Sequence, residues 1–416
     1  MLATRSTSIH ARARRFPKFM TVAPRNLFVT QNYPPESGGM SRRHAELVRR
    51  YGEPIEVSTV AHDAAAEVDA SGPHVVHRQP FPARAAKLFG NEVRWGRWLA
   101  SYCRSGVEVM HCGEIRPVGY AVWWASKRSG VPYVVYVNGG DLLRERQKTA
   151  RHWSKRVSAF RLLGDAAGIV ANSEWTATLA RDIMAELHIS AAPPVAAIDL
   201  GTDPGQFSPS RETGKLRARL DAGDDPILLT VARLVPHKGQ DTAIRMLAQL
   251  RQSHPDVHYV VVGSGSDHER LVALAESLGV GDRVHFVGQL DDVALADAYA
   301  TATAYVGMSR LDNAINVEGF GISFVEASAS GAPVIAGDSG GVRSAVRDGH
   351  TGFVVPAEDV GAAAAAAARI LNDRELQKRM GASGRTLVES HYNWDRVAGE
   401  TRAFVDECLE RRTPRD

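Results

Sequence analysis

Ser309–Gly341 reads SRLDNAINVEGFGISFVEASASGAPVIAGDSGG, and the fold follows from how this stretch is parsed. Two carboxylates, Glu318 and Glu326, stand eight positions apart, separated by Gly319-Phe320-Gly321-Ile322-Ser323-Phe324-Val325. The glycines come first and the apolar run follows, which is the order of a loop feeding a helix N-terminus. The pattern predicts a helix from about Ser323 to Ser330. Gly331 suits the left-handed residue after its end, and Pro333 stops it. Val334-Ile335-Ala336 then reads as a short buried strand.

A helix start presents unpaired N–H groups and the positive end of its dipole. Glycines let an anion approach the backbone closely. A carboxylate beside such an anion needs a different partner, and sugar hydroxyls, which donate to carboxylates, supply one. The stretch therefore predicts a phosphate cradle flanked by two hydroxyl acceptors, the requirements of a nucleotide-sugar. The plain alternative for this pair alone is a helix cap with two solvated glutamates.

The rest of the chain repeats the grammar. Asn26–Thr30 reads as a strand, Tyr33-Pro34-Pro35-Glu36-Ser37-Gly38-Gly39 as a turn, and about Met40 to Arg50 as a helix. Further strands are expected at 57–61, 75–77, 107–111, 133–137 and 167–171. Asn138-Gly139-Gly140-Asp141 ends one of them, so Asn138 and Asp141 stand where an open α/β sheet meets its ligand. Ser173 reads as a helix cap. Leu200–Pro204 is punctuation and marks a domain boundary. A second series follows, with strands at 227–231, 257–262, 284–287 and 304–307. Strands alternating with helices mean parallel sheets, and two such series mean two doubly wound domains with a ligand in the cleft between them. The alanine-rich run Gly361–Ala368 reads as a surface helix. Tyr392–Leu409 reads as a terminal helix with Trp394, Val397, Phe404 and Val405 as its apolar stripe.

Arg233 and Lys238 lie five residues apart, just past the first strand of the second series. A pyrophosphate needs neutralising, which Arg does bidentately and Lys as a point charge. Either cation alone could be a solvated loop residue. Two cations, two acids and glycine turns at strand ends together point to one anion site.

Composition sets the outer bounds. The 416 residues suffice for two or three domains. No apolar run reaches the roughly 18 residues of a membrane span. Cys103, Cys112 and Cys408 show no metal-type spacing, and nothing calls for a metal, a cofactor or a nucleic acid; a reduced, cytoplasmic compartment is expected. Residues 1–200 hold 27 Lys+Arg against 17 Asp+Glu, so the first half suits an anionic surface. Residues 84–104 read as an amphipathic helix mixing Lys87, Arg94, Arg97 and Arg104 with Phe89, Trp95 and Trp98. It suggests peripheral contact with anionic lipid at the inner face of the cell membrane; the alternative packs its tryptophans inward. Residues 1–24 lack Asp and Glu and read as a disordered basic extension, with Met20 an alternative start.

With these residues assembled, the chain resembles the glycogen-synthase-like, retaining glycosyltransferases (family 4) from Asn26 to Leu409. The marks are YPPESGG, ANSEWTA, GTDPGQFSP, VARLVPHKG, VVGSG and EGFGISFVEA. NVEGFGISFVEASASGAPVIAG and HCGEIRPVGYAV are most similar to bacterial phosphatidylinositol-mannoside-type mannosyltransferases. The resemblance implies a GT-B fold, α/β, with two Rossmann-like domains facing across a cleft. The expected divisions are 25–200 for the acceptor, 201–385 for the nucleotide-sugar, and 386–416 as a helix crossing back to the first domain. It implies that Arg233 and Lys238 hold the donor diphosphate, Glu326 accepts from the ribose, and Glu318 accepts from the donor sugar beside the N–H groups of Phe320, Gly321 and Ile322. Gly38 and Gly39 would approach from the first domain. Leu290 would meet the base through its backbone, with Gly263 and Gly265 on the pocket floor. Asn138 departs from the pattern, since many members carry a His there that assists catalysis; Asn bonds a hydroxyl but takes up no proton near neutrality. The implied activity is metal-independent hexosyl transfer, with GDP-mannose as donor and a lipid-linked or glycan acceptor. A UDP-glucose or UDP-N-acetylglucosamine transferase, an epimerase of the same fold and a silent nucleotide-sugar-binding subunit are the alternatives.

Overall fold

The structure, a computed structural model, describes residues 25–36 and 38–412. The basic extension expected over 1–24 lies outside the described residues. The first sheet has seven strands: β1 (Asn26–Val29), β2 (Ile55–Ala61), β3 (Val76–Pro82), β4 (Val109–Cys112), β5 (Tyr133–Val137), β6 (Gly168–Ala171) and β7 (Val195–Ala197). Their order is β3-β2-β1-β4-β5-β6-β7, every pairing parallel. The second has six: β8 (Ile227–Val231), β9 (His258–Val262), β10 (Val284–Gly288), β11 (Ala304–Gly307), β12 (Val334–Asp338) and β13 (Gly352–Pro356). Their order is β10-β9-β8-β11-β12-β13, again all parallel.

Helices cover both faces of such sheets, so the strands carry unbroken apolar runs rather than alternation. Tyr133–Val137, YVVYV, is buried at every position. Strand order reverses between β1 and β4 and again between β8 and β11. Ligands of doubly wound sheets meet the chain at such reversals, outside the carboxyl ends of the strands. The fold class expected from the sequence therefore holds.

One apolar core runs through both domains, joining Phe28 and Tyr136 to Phe320, Phe324 and Trp394. The crossing segments lie side by side: Thr202 donates its N–H to the Tyr392 carbonyl at 2.9 Å, and it bridges Asn393. The helix Trp394–Glu410 packs on the first-domain helix Gly39–Arg50, and Arg402 donates to the Tyr51 carbonyl at 3.2 Å.

Two expectations need correcting. The alanine run forms a helix with Gly361 and Ala365 exposed, but its other face is packed rather than free. Within Val360–Asn372, Ala363 and Ala367 are fully buried, because methyl-sized side chains let this helix press against Gln240–Leu250. Residues 84–104 are not one amphipathic helix. A 3-10 turn (Ala83–Ala85) precedes the helix Phe89–Tyr102, and a second (Cys103–Ser105) follows it. Trp95 is buried and donates to Ser58 Oγ at 2.9 Å, while Trp98 stacks on Tyr102 with ring centroids 4.8 Å apart. Both tryptophans thus face the protein, which leaves Leu88 and Phe89 exposed at the helix start.

Candidate active site

The loop after β8 turns through the 3-10 segment Pro236–Lys238 and carries the Lys238 ammonium to Glu318, with Nζ 2.5 Å from Oε2. This contact brings the end of β8 against the long loop that follows β11. Glu318 opens a tight turn whose own carbonyl accepts from the Gly341 N–H at 2.8 Å. Gly319 follows, and a Cβ there would lie 2.1 Å from the Asn138 carbonyl of the first domain, so only glycine fits. Its carbonyl accepts from Ser173 Oγ at 2.7 Å. Ser173 also caps its own helix by accepting from the Thr176 N–H, so one hydroxyl serves both domains. Gly321 takes a left-handed φ of 98° and launches the helix Ile322–Ala329, one residue earlier than expected. Among the described residues, no acceptor takes the N–H groups of Phe320, Gly321 or Ile322. The Phe320 side chain is buried against Tyr392 and anchors the turn from behind.

Glu326 lies in that helix and is buried. Tyr299 donates to its Oε2 at 2.7 Å, and Arg42, from the first domain, to its Oε1 at 2.8 Å. Burial, and then the Glu326 charge, push the Tyr299 phenol well above its ordinary range, so it stays a neutral donor. Arg42 also reaches Asp292 at 3.2 Å. Gly38 and Gly39 begin the helix that carries Arg42. A Cβ on Gly39 would touch Ile322 Cδ1 at 3.7 Å, while one on Gly38 would meet open space. The two glycine turns therefore face each other across the cleft.

Arg233 is exposed, with no hydrogen bond or ion pair to its side chain among the described residues. It lies close enough to act on His237, which burial first, and then Lys238, push down to about 4. His237 is thus neutral at neutral pH, and the loop's cations are Arg233 and Lys238. Gly263 and Gly265 sit under this loop: a Cβ on either would strike the carbonyl oxygens of Ala232 and Leu234, at 2.1 and 2.2 Å respectively. Gly263 also donates to the Gly288 carbonyl at 2.8 Å, which sets the loop holding Leu290 beside it.

Asn138 and Asp141 follow β5. Asp141 Oδ1 accepts from the N–H groups of Asn138 and Leu142, both at 2.9 Å, so it clamps the turn. Its other oxygen is buried without a partner, and burial raises its pKa. At the reversal of the first sheet, Glu114 accepts from Thr30 Oγ1 at 2.5 Å and from the Gln31 N–H at 3.3 Å. Burial pushes that carboxyl up to about 7.

The fold thus gathers Lys238, Glu318, Glu326, the Gly319–Gly321 turn, Gly38, Gly39 and Asn138 into one cleft. Leu290, Gly263 and Gly265 lie at its β9–β10 side, and Arg233 stands at its rim. Sequence reasoning missed Arg42, Arg43 and Tyr299. The two arginines follow the glycine pair on the same helix, but an arginine pair there reads equally as a solvated face; Tyr299 had no signal.

Residues 37–192 match the family described as Glycosyltransferase Family 4, and residues 213–387 match Glycosyl transferases group 1. A relative from Mycobacterium tuberculosis, named GDP-mannose-dependent alpha-(1-6)-phosphatidylinositol monomannoside mannosyltransferase, is 32% identical over 398 residues, covering 92% of this chain and 98% of its own. A D-inositol 3-phosphate glycosyltransferase of Streptomyces scabiei is 32% identical over 300 residues, covering 68% of this chain and 64% of its own. Among solved structures, Thermosynechococcus elongatus sucrose-phosphate synthase superposes with a TM-score of 0.75 at 24% identity, covering 93% of this chain and 99% of that one. Anabaena HepE in complex with UDP and glucose gives 0.73 at 20% identity, covering 92% and 99%. These two show the fold. Taken with the paired Rossmann-like sheets and the cleft between them, the matches establish that this chain belongs to the family 4, group 1 glycosyltransferases of GT-B fold.

Proposed function

We propose that the chain transfers mannose from GDP-mannose, with retention, to a lipid-linked acceptor of the phosphatidylinositol-mannoside kind. The observation that carries this is the Lys238–Glu318 contact beside the open N–H groups of the Gly319–Gly321 turn. The donor diphosphate would lie on those N–H groups, drawing Lys238 and Arg233 to its charge. Glu318 is then released to accept from the sugar, and Glu326 from the ribose. Charge held in place before reaction stabilises departure of the nucleotide. The C1–phosphate bond breaks while the acceptor oxygen bonds C1 on the same face, and the acceptor proton passes to the leaving phosphate oxygen. No side chain need take up that proton, which accommodates Asn138. The full-length similarity to a relative named as GDP-mannose-dependent supports the donor and the acceptor class.

The acceptor side would rest on an anionic leaflet at the cytoplasmic face. Leu88 is 62% exposed, Phe89 81% and Trp153 78%, and Lys87, Arg94 and Lys155 are exposed near them. Among the described residues, no helix is long and apolar enough to cross a membrane.

The test is a thermal-shift panel of GDP-, UDP- and ADP-sugars, followed by product mass with the donor that binds. A bound donor raises the melting temperature by mass action. GDP-mannose should give the largest shift. A larger shift with UDP-glucose or UDP-N-acetylglucosamine would transfer the reading to polysaccharide or small-glycoside synthesis.

A further inference from the structure

Arg43 is a buried arginine without a carboxylate. It projects from the second turn of the helix Gly39–Arg50 and is 2% exposed. Its guanidinium lies over the Tyr136 ring, 5.5 Å from the centroid, and makes no ion pair among the described residues. Asp141 reaches it only at longer range, and burial pushes its pKa down to about 10. Removing a charge from water without a counter-ion is costly, and a well-packed apolar side chain in such a place is usually neutral or better for stability. Stability therefore gives a weak reason for an arginine here.

Its one hydrogen bond gives a stronger reason. Nη1 donates to Oδ1 of Asn138. A carboxamide has an accepting edge and a donating edge, and turning it over would set NH2 against guanidinium, donor against donor. The backbone of Asn138 is held as well: its N–H is bonded to Asp141 Oδ1 at 2.9 Å, and its carbonyl abuts Gly319 of the second domain. Nδ2 is left on the accessible side, its one hydrogen-bond partner among the described residues the weakly accepting Met40 Sδ at 3.6 Å. The donating edge thus stands beside the two facing glycine turns.

We infer that Arg43 is a positioning residue, which locks the Asn138 carboxamide so that Nδ2–H always faces the transferred sugar as a hydrogen-bond donor. This rests on the cleft being a nucleotide-sugar site. It assigns Asn138 to an oxygen of the sugar acting as acceptor, and it makes that contact independent of pH. A histidine in the same place would change charge as it titrates; a carboxamide pinned by a guanidinium does not.

The experiment is a double-variant cycle on the full chain, using the donor that the panel selects and reading kcat, donor KM and melting temperature. Arg43→Met and Asn138→Ala should each lower kcat by about 10- to 100-fold, with donor KM within about threefold of wild type. The double variant should be no slower than the slower single, because the two residues act as one. Arg43→Met should melt no lower than wild type, which a merely structural arginine would not allow. Should Arg43→Met fail to fold, Asn138→Asp takes its place: the carboxylate still accepts from Arg43 but has no N–H for the sugar, so kcat should fall as in Asn138→Ala, and full activity there would overturn the assignment. Full activity in the Arg43 variant, or losses that multiply in the double variant, would overturn the assignment. A wild-type chain that binds no nucleotide-sugar would instead overturn the reading of the cleft.

Discussion

Among the described residues Lys238 has one partner, the Glu318 carboxylate, for which the proposed donor diphosphate would compete. Removing the ammonium leaves Glu318 to repel the phosphate it flanks. Lys238→Ala should therefore lower kcat/KM by about 100-fold or more, with little change in melting temperature. Glu326→Ala removes the acceptor from the buried Tyr299 hydroxyl and frees Arg42, so it should abolish transfer and also cost about 1–3 kcal/mol of stability. Labelled-donor turnover checks both, and near-normal rates in either would remove the site. Lys238, Glu318 and Glu326 were legible because each sits at a fixed offset from glycines that only a tight turn explains. Arg42 and Arg43 were not, since two arginines on a helix are usually a solvated face.

Among the elements, the alanine run shows that residue type does not fix burial, which depends on which neighbour approaches; for residues 84–104 the alternative of inward-packed tryptophans is the one that forms. Ala367 is fully buried and Ala365 is exposed on the same helix. Ala367→Leu should cost about 1–3 kcal/mol by overpacking, whereas Ala365→Leu should be nearly neutral. Denaturant unfolding compares them, and equal effects would contradict the packing of this helix on Gln240–Leu250. Strand positions fared better. The run Tyr133–Val137 appears at the residues the sequence marked, because a strand buried on both faces has no polar position to blur its ends.

For the whole molecule, Arg42 and Ser173 tie the two domains through Glu326 and the Gly319 carbonyl, and Asn138 abuts Gly319 across the cleft. The proposed membrane face, with its exposed Leu88, Phe89 and Trp153, predicts sedimentation with vesicles containing phosphatidylglycerol and not with phosphatidylcholine alone. Phe89→Ala with Trp153→Ala should weaken that binding severalfold, and raised salt should weaken it further, as charge screening requires. Binding indifferent to both salt and lipid charge would remove the proposed membrane face.

Local order along the chain carried the class of fold, the two parallel sheets and the Gly319–Gly321 turn. Each is written in short-range terms: apolar runs of strand length, glycines where a Cβ has no room, cations just past a strand. The partners of the site are different in kind. Arg42 meets Glu326 across 284 residues and Ser173 meets Gly319 across 146, and both contacts exist because two separately folded sheets close on one another. No periodicity records such a meeting. Packing of the domains brings Arg42 to Glu326, while packing within the first domain, on Ser58, Phe81 and Tyr102, turns the tryptophans of the Phe89–Tyr102 helix inward and leaves Trp153 outside.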